Sequence, residues 1–166
     1  MTTFEKVIGL LDRQQADYRL VAHEAVGQTE TISAIRGNAL QQAAKAMVLE
    51  VTMPADADVR YLLAVVPGDC KINFKAAARA IGGKKSRFAP PNMAAALTRC
   101  EMGAVPPFSF DDRLALCVDS RLREVGTLWF NAGVLDKSVA LAANDYFRIT
   151  GNCCTEIATP VTTATA

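Results

Sequence analysis

The sequence predicts a single mixed α+β domain, built as a barrel-like curved sheet flanked by helices. Helical and strand patterns follow one another irregularly along the 166 residues, without an internal repeat. Hydrophobic residues make up 51% and charged residues 21%, which is typical of a folded globular chain. Because no linker-like segment divides the sequence, we expect one domain over residues 1–154 and a flexible tail over 155–166.

The N-terminal part of the chain predicts two helices separated by a strand. Thr2 and Glu5 have the spacing of a capping box, and an apolar stripe at helical spacing follows them. Gly37 is suited to end the second helix. The expected elements are a helix over 3–15, a strand over 18–22, a helix over 30–35 and a helical turn over 40–43.

The rest of the chain predicts a long hairpin, followed by helices and strands. Two apolar runs, 45–51 and 60–66, form the hairpin through a turn-like segment at 53–58. Either Pro90 or Pro91 can occupy the first turn of a helix. The other expected elements are a turn at 67–69, helices at 74–81 and 93–98, a loop at 103–110, strands at 86–88, 114–119, 128–131 and 138–141, and a last helix capped by Asn144.

Charge, cysteine and histidine counts exclude several classes of function. With 18 basic and 17 acidic residues, the chain can make only local contact with nucleic acid. The five cysteines form no C-x-x-C pair, and a single histidine, His23, excludes a two-histidine zinc site. We expect no metal or other cofactor. Without a secretory pattern or a membrane-length apolar run, we expect a cytoplasmic protein with neither DNA nor membrane partners.

Lys45 is the first candidate for a functional side chain. Alternate residues of a strand share a face, so Lys45 shares one with apolar residues only. These residues are Met47, Leu49 and Val51. Lysine is seldom buried without a partner. Either the strand begins at Ala46 and Lys45 extends to water, or the strand delivers an ammonium group into a pocket. The pattern alone favours the first interpretation.

A G-x-x-x-P segment from Gly103 to Pro107 is the second candidate. Glycine lets the backbone approach a ligand closely, and proline stiffens the loop. The N–H groups of Ala104 and Val105 could point at an oxygen, as in an oxyanion hole. Pro106 and the proline after it donate no hydrogen bond. An ordinary stiff turn is the simpler interpretation of this segment alone.

Further candidates for binding lie in three polar segments. They are His23, the cluster Lys84, Lys85 and Arg87, and the residues Asn131, Ala132, Gly133, Asp136 and Lys137. The histidine could contact a phosphate or a ribose, or polarise a reacting group. A basic cluster beside a cleft would neutralise a few phosphates and make binding sensitive to salt. Solvated surface residues and a β-turn with a charge pair are the alternative interpretations.

Several of these segments together resemble a known family. In chain order they are VAHEAVG at 21–27, AKAMV at 44–48, VPGD at 66–69, GAVPPF at 103–108 and NAG at 131–133. Over about residues 4–149 the chain is similar to the YbaK/ProX aminoacyl-tRNA deacylases, which are relatives of the insertion domain of bacterial prolyl-tRNA synthetase. It resembles the free-standing YeaK-type members most. The order and spacing of the segments carry this resemblance.

The resemblance implies a metal-independent trans-editing hydrolase. Its substrate would be a tRNA mischarged at the acceptor 3′ end with a small amino acid such as alanine, serine or threonine. Lys45 would be the central functional residue, and the loop from Gly103 to Pro107 would hold the aminoacyl group. A synthetase or an elongation factor is a further candidate partner. Ala104 and Pro106 stand where the family frequently has hydroxyl side chains, which leaves the preferred amino acid open.

An aminoacyl ester is already activated, so positioning and charge stabilisation can suffice for its hydrolysis. We expect Lys45 to anchor the ester or the terminal ribose, the amides of Ala104 and Val105 to hold the carbonyl, and water to attack. The tRNA contacts would come from the basic cluster and from Lys137. Two other functions stay open at this point: a tRNA- or protein-binding module of the same fold, and a hydrolase of another small acyl ester or amide.

Overall fold

The structure, a computed structural model, describes residues 1–54, 58–151 and 154–161. The helices are α1 (Thr3–Arg13), α2 (Thr29–Arg36), α3 (Phe74–Ala80), α4 (Pro91–Thr98) and α5 (Ala143–Thr150). The strands are β1 (Tyr18–Ala22), β2 (Ala44–Thr52), β3 (Val59–Pro67), β4 (Cys70–Ile72), β5 (Lys85–Phe88), β6 (Leu114–Asp119), β7 (Thr127–Asn131), β8 (Lys137–Ala142), β9 (Cys154–Thr155) and β10 (Ala158–Pro160). Short 3₁₀ turns cover Leu40–Gln42 and Ser120–Glu124.

The strands form three sheets in the described parts of the chain. The central sheet has the order β5-β2-β3-β6-β9, in which β2 pairs antiparallel with β3 and β5, and β3 pairs parallel with β6. A second sheet has the order β1-β8-β7, and the third pairs β10 with β4. The predicted α+β class is therefore confirmed, and these sheets do not close into a barrel.

Two hydrophobic cores cover the two faces of the central sheet. On one face Val48 and Leu63 pack with α1, α5 and the buried side of the second sheet. On the other face Leu49 and Leu62 pack beneath α3 and β4. Fully burying one such side chain stabilises the fold by about 1.5–3 kcal/mol. Both faces of β2 are thus covered along most of its length, and the strand carries Lys45 near its N-terminal end.

The predicted helices and strands are present with shifts of one or two residues at their ends. The capping box of α1 forms, with Glu5 N–H donating to Thr2 Oγ1 at 3.1 Å. Asn144 is not the cap of the last helix, because α5 already includes it and the capping position is Ala142. The short strand β4 was not predicted, since three residues carry too little pattern.

The prediction of a flexible tail from residue 155 was wrong for the residues up to 160. β10 pairs with β4, and Ile157 is fully buried. The cause is the buried carboxylate of Asp119, whose Oδ2 accepts hydrogen bonds from the N–H groups of Ile157 at 2.9 Å and Ala158 at 2.8 Å. Residues 162–166 of the predicted tail lie outside the described residues, as do residues 55–57 of the predicted turn.

Candidate active site

A cavity of about 620 Å³ lies between β2, β7, α2, α4 and the loop that follows α4. Most of its wall is apolar, with Ala46, Val48, Phe88, Ala94, Trp129 and Phe130 among the lining residues. Its charged lining residues are Arg36, Lys45 and Glu101. An apolar cavity of this size with a few polar groups has the form of a small-ligand site.

Lys45 is half-buried in the wall of this cavity. The strand begins at Ala44, so the interpretation in which it starts at Ala46 is wrong. The ammonium group donates to the carbonyl oxygen of Cys70 at 3.0 Å. None of the ion pairs found among the described residues includes Lys45. The site therefore holds a cation on a rigid strand, with N–H donors left for a ligand.

Gly103 begins a loop that meets the loop after β1 backbone to backbone. Its φ is +88°, and a Cβ built there would lie 2.7 Å from both the Cα and the carbonyl oxygen of Gly27. The side chain of Asn131 joins the two loops, because its Nδ2 donates to Gly103 O at 2.8 Å and to Val26 O at 3.1 Å. Only glycine fits this approach, and the asparagine amide fixes it.

The two loop amides differ in their availability to a ligand. Ala104 is fully buried, and its N–H donates to Glu101 O at 3.0 Å while its carbonyl accepts from Gly133 N–H at 3.0 Å. The Ala104 amide is therefore engaged within the loop and is not free to hold a carbonyl. Val105 lines the cavity, and its N–H has no hydrogen-bond acceptor within the part of the chain that the structure describes. Its amide is the remaining candidate oxyanion donor.

Pro106 and Pro107 are buried behind the cavity rather than in its wall. The carbonyl of Pro107 accepts a hydrogen bond from the hydroxyl of Tyr146 at 2.7 Å. Phe108 packs edge-on against Tyr146, with ring centroids 5.2 Å apart, and against Phe130 at 5.9 Å. The loop is thus anchored in the core immediately after the segment that faces the cavity.

His23 reaches the cavity only through other side chains. Its Nε2 lies 2.6 Å from the hydroxyl oxygen of Ser138, and that hydroxyl donates to Asn131 Oδ1 at 3.1 Å. The Nδ1 atom lies 2.7 Å from the carbonyl oxygen of Glu24. His23 is absent from the cavity wall, and the hydroxyl of Ser138 links it to Asn131.

The remaining predicted site residues lie away from the cavity wall. Ala132 is buried, and its N–H donates to the carbonyl oxygen of Lys137. The N–H of Gly133 donates to the carbonyl oxygen of Ala104. Asp136 is exposed, and its backbone carbonyl accepts from His23 N–H. The Lys137 ammonium lies 5.0 Å from the centroid of the Phe4 ring. Of the predicted set, the cavity brings together Lys45, Gly103, Val105 and Asn131.

The basic cluster lies on the surface at β5. Lys84, Lys85 and Arg87 are exposed, and Arg87 pairs with Glu50 at 2.9 Å. Phe88, the last residue of the same strand, lines the cavity although it is 57% exposed. The cluster is therefore outside the cavity, and two of its three members lie on a strand whose last residue lines the cavity.

Sequence reasoning missed Arg36 and Trp129, which both line the cavity. Burial lowers the pKa of the half-buried Arg36 to about 10. A signal for both was available. Arg36 follows the buried Ile32 by four residues, which places them on one side of α2. Trp129 precedes Asn131 by two residues, and the two therefore share a face of β7.

Two buried cysteines lie at the candidate site, Cys100 in the cavity wall and Cys70 beside the Lys45 ammonium. Burial raises the pKa of the Cys100 thiol, which lines the cavity, and raises that of Cys70 to about 11. Both thiols are therefore protonated at neutral pH.

Within residues 1–54, 58–151 and 154–161, no group of three His, Cys, Asp or Glu residues could hold a metal ion. No helix in those ranges is long and apolar enough to cross a bilayer. Cys153 lies outside them.

Fold and site together define a small α+β domain with an apolar cavity, a lysine in its wall and a stiff glycine–proline loop beside it. The family described as the aminoacyl-tRNA editing domain matches residues 23–149, and the chain belongs to this family.

The chain is also similar to a named sequence relative and to two solved structures. It is 43% identical, over 148 residues, to the Escherichia coli (strain K12) protein named Multifunctional Ser/Thr-tRNA deacylase ProXp-y, covering 89% of this chain and 87% of that protein. Among solved structures, the hypothetical protein APE2540 superposes with a TM-score of 0.83 at 19% identity, covering 93% of this chain and 99% of its own. A protein described as a candidate trans-editing enzyme for prolyl tRNA synthetase has a TM-score of 0.77 at 20% identity, with 96% and 98% covered. The two structures show the shared fold.

Proposed function

We propose that the protein hydrolyses the ester of tRNA mischarged with a small amino acid, acting in trans on the acceptor 3′ end. The family and the relative named as a Ser/Thr-tRNA deacylase support this class of reaction. The observation that carries the proposal for this chain is the placement of Lys45. Lys45 lines an apolar cavity that the loop at Gly103 also lines, and no ion pair among the described residues includes its ammonium group.

The reaction needs no protein nucleophile in this site. The oxygen of water adds to the ester carbonyl carbon, the bond to the ribose oxygen breaks, and a proton passes to that oxygen. The products are a free amino acid and a tRNA with its hydroxyl restored. Lys45 and the amide of Val105 stabilise the negative charge that develops on the carbonyl oxygen. The ribose 2′-hydroxyl of the tRNA is suited to assist the water, since His23 is separated from the cavity by Ser138 and Asn131.

The preferred amino acid follows from the need for editing. A synthetase pocket rejects a smaller or isosteric amino acid by only about 1–3 kcal/mol per methylene, so a second site must remove it. We propose serine and threonine as the first substrates to test, with alanine as the smaller analogue, because the relative is named for Ser/Thr-tRNA. The side chain of Ala104 is buried outside the cavity wall, so it would not contact the amino acid that is selected.

The acceptor stem would reach the site along β5. Lys85 and Arg87 are exposed on this strand, whose last residue lines the cavity, and the exposed Lys84 directly precedes it. A few cations there give local, salt-sensitive binding without a basic chain. Lys137 lies beside Phe4 and is the weaker candidate for a tRNA contact. A synthetase or elongation factor as a second partner, and a cytoplasmic location, stay predictions.

The proposal is tested by the release of labelled amino acid from tRNAs charged with serine, threonine, alanine and proline. We expect rapid release of at least one of the small hydroxylated residues and slow release of proline. Binding of charged tRNA without any release would instead indicate a binding module. Release from simple serine or threonine esters at the same rate as from tRNA would indicate a hydrolase of another acyl substrate.

A further inference from the structure

Arg36 is a cation in the cavity wall, and its hydrogen-bond partners among the described residues are all neutral. Its Nε donates to Asn38 Oδ1 at 2.9 Å, Nη1 to Ser138 Oγ at 3.2 Å, and Nη2 to Ser33 Oγ at 3.4 Å. No ion pair among the described residues includes it. A guanidinium group carries five N–H donors. One N–H on each terminal nitrogen is therefore left for a ligand.

The guanidinium group of Arg36 is half-buried in surroundings that favour pairing with an anion. Its guanidinium lies 5.8 Å from the centroid of the Trp129 ring, inside a largely apolar wall. Burial lowers the pKa of Arg36, and no carboxylate in the described part of the chain opposes that shift. A half-buried charge is costly unless something pairs with it. Its place in the last turn of α2 offers partial compensation only.

The chemistry of the proposed substrate indicates which anion Arg36 would bind. The aminoacyl part carries an amino group and no anion, so Arg36 does not recognise it by charge. The anions of an aminoacyl-tRNA are its phosphodiesters, and the planar fork of arginine fits phosphate oxygens well. The cavity of about 620 Å³ is larger than a seryl or threonyl group requires. It leaves room for the nucleoside to which that group is attached.

We propose that Arg36 binds the phosphodiester on the 5′ side of the terminal nucleoside, while Lys45 serves the ester on its 3′ side. This assignment rests on the proposed function. It gives the cavity two cations with separate tasks. Arg36 and Asn131 both hydrogen-bond to the hydroxyl of Ser138, and Asn131 fixes the loop at Gly103. A phosphate bound to Arg36 would therefore be linked to that loop through Ser138 and Asn131.

The test is a binding measurement with two ligands that cannot be hydrolysed. Both carry serine in amide linkage on the 3′ position of adenosine, and one also carries a 5′-methyl phosphate diester. Calorimetry gives the ratio of their Kd values for the wild type, Arg36→Gln and Arg19→Gln. Arg19 is the matched control, since it lies 5.5 Å from the same Trp129 ring but is exposed and outside the cavity wall.

We expect the phosphate to tighten binding to the wild type by about tenfold or more, as a charge-assisted hydrogen bond does. Arg36→Gln should bring the ratio close to one, and Arg19→Gln should leave it unchanged. Arg36→Lys, which keeps the charge without the fork, should give an intermediate ratio. Equal weakening of both ligands by Arg36→Gln would show a structural role only and overturn the assignment.

Three other results would also overturn it: a wild-type ratio of one, a ratio that survives in Arg36→Gln, and no binding of either ligand. Inorganic phosphate at the ligand concentration should not change the ratio, and a ratio that it abolishes would indicate a site for free anions instead. Because the readout is binding, a protein that shows the expected ratios but releases no amino acid from tRNA would refute the proposed function and leave this assignment standing.

Discussion

Replacing Asn131 with alanine removes the side chain that joins the two loops beside the cavity. Three hydrogen bonds are lost: two donated by Nδ2, to Gly103 O and Val26 O, and one accepted by Oδ1 from Ser138. At about 1 kcal/mol each, their loss lowers the free energy of unfolding by about 3 kcal/mol. For a chain of this length that corresponds to a fall in Tm of roughly 6–12 °C.

The same substitution should slow deacylation by about 10-fold to 100-fold, because the loop at Gly103 is no longer held in place against the ligand. Urea unfolding measures the first effect, and deacylation well below the Tm of the variant measures the second. Asn144→Ala is the control, since Asn144 is exposed on α5. An Asn131→Ala protein within about 0.5 kcal/mol of the wild type, with full activity, would refute this description of the site.

Two further substitutions test the loop and the thiols. Gly103→Ala should lower the free energy of unfolding in urea more than Gly126→Ala does, and it should be far less active. A Cβ at 103 would lie 2.7 Å from the backbone of Gly27, whereas a Cβ at 126, also at positive φ, has nothing within 4 Å. Equal losses in the two variants would exclude this close approach as the cause. Cys100→Ala should leave deacylation and its pH dependence unchanged, since burial raises the pKa of this thiol and keeps it protonated at neutral pH. A pH–rate profile that lost an ionisation in this variant would contradict that expectation.

Much of the fold could be predicted because its strongest elements are long and locally patterned. The apolar runs of β2 and β3 and the capping box at Thr2 carry their signals within a few residues. The pairing of β10 with β4 could not be predicted in this way. It depends on Asp119, which is buried and accepts hydrogen bonds from backbone groups almost forty residues later in the chain.

The candidate site could be predicted only in part, because alternation along a strand does not tell which side of a loop faces a cavity. Lys45 and Asn131 became candidates mainly through the resemblance to the family, since the strand pattern alone favoured a solvent-exposed Lys45 and a simple turn after Asn131. The amide of Ala104 was expected to be available, but a local turn engages it with Glu101. Arg36 was missed because a basic residue at the end of a helix usually lies in solvent, and its spacing from Ile32 is a weak signal that gains weight only with the packing against Trp129.

The role of Lys45 is tested most directly by single-turnover deacylation of Ser-tRNA or Thr-tRNA by Lys45→Ala, with the affinity for the same tRNA measured in parallel. Lys71→Ala is the matched control, an exposed lysine next to the residue whose carbonyl binds Lys45. We expect Lys45→Ala to lose about 100-fold or more of the hydrolytic rate, as on removal of an oxyanion donor, while tRNA affinity changes little. A Lys45→Ala protein that hydrolyses the ester as fast as Lys71→Ala and the wild type would contradict the account.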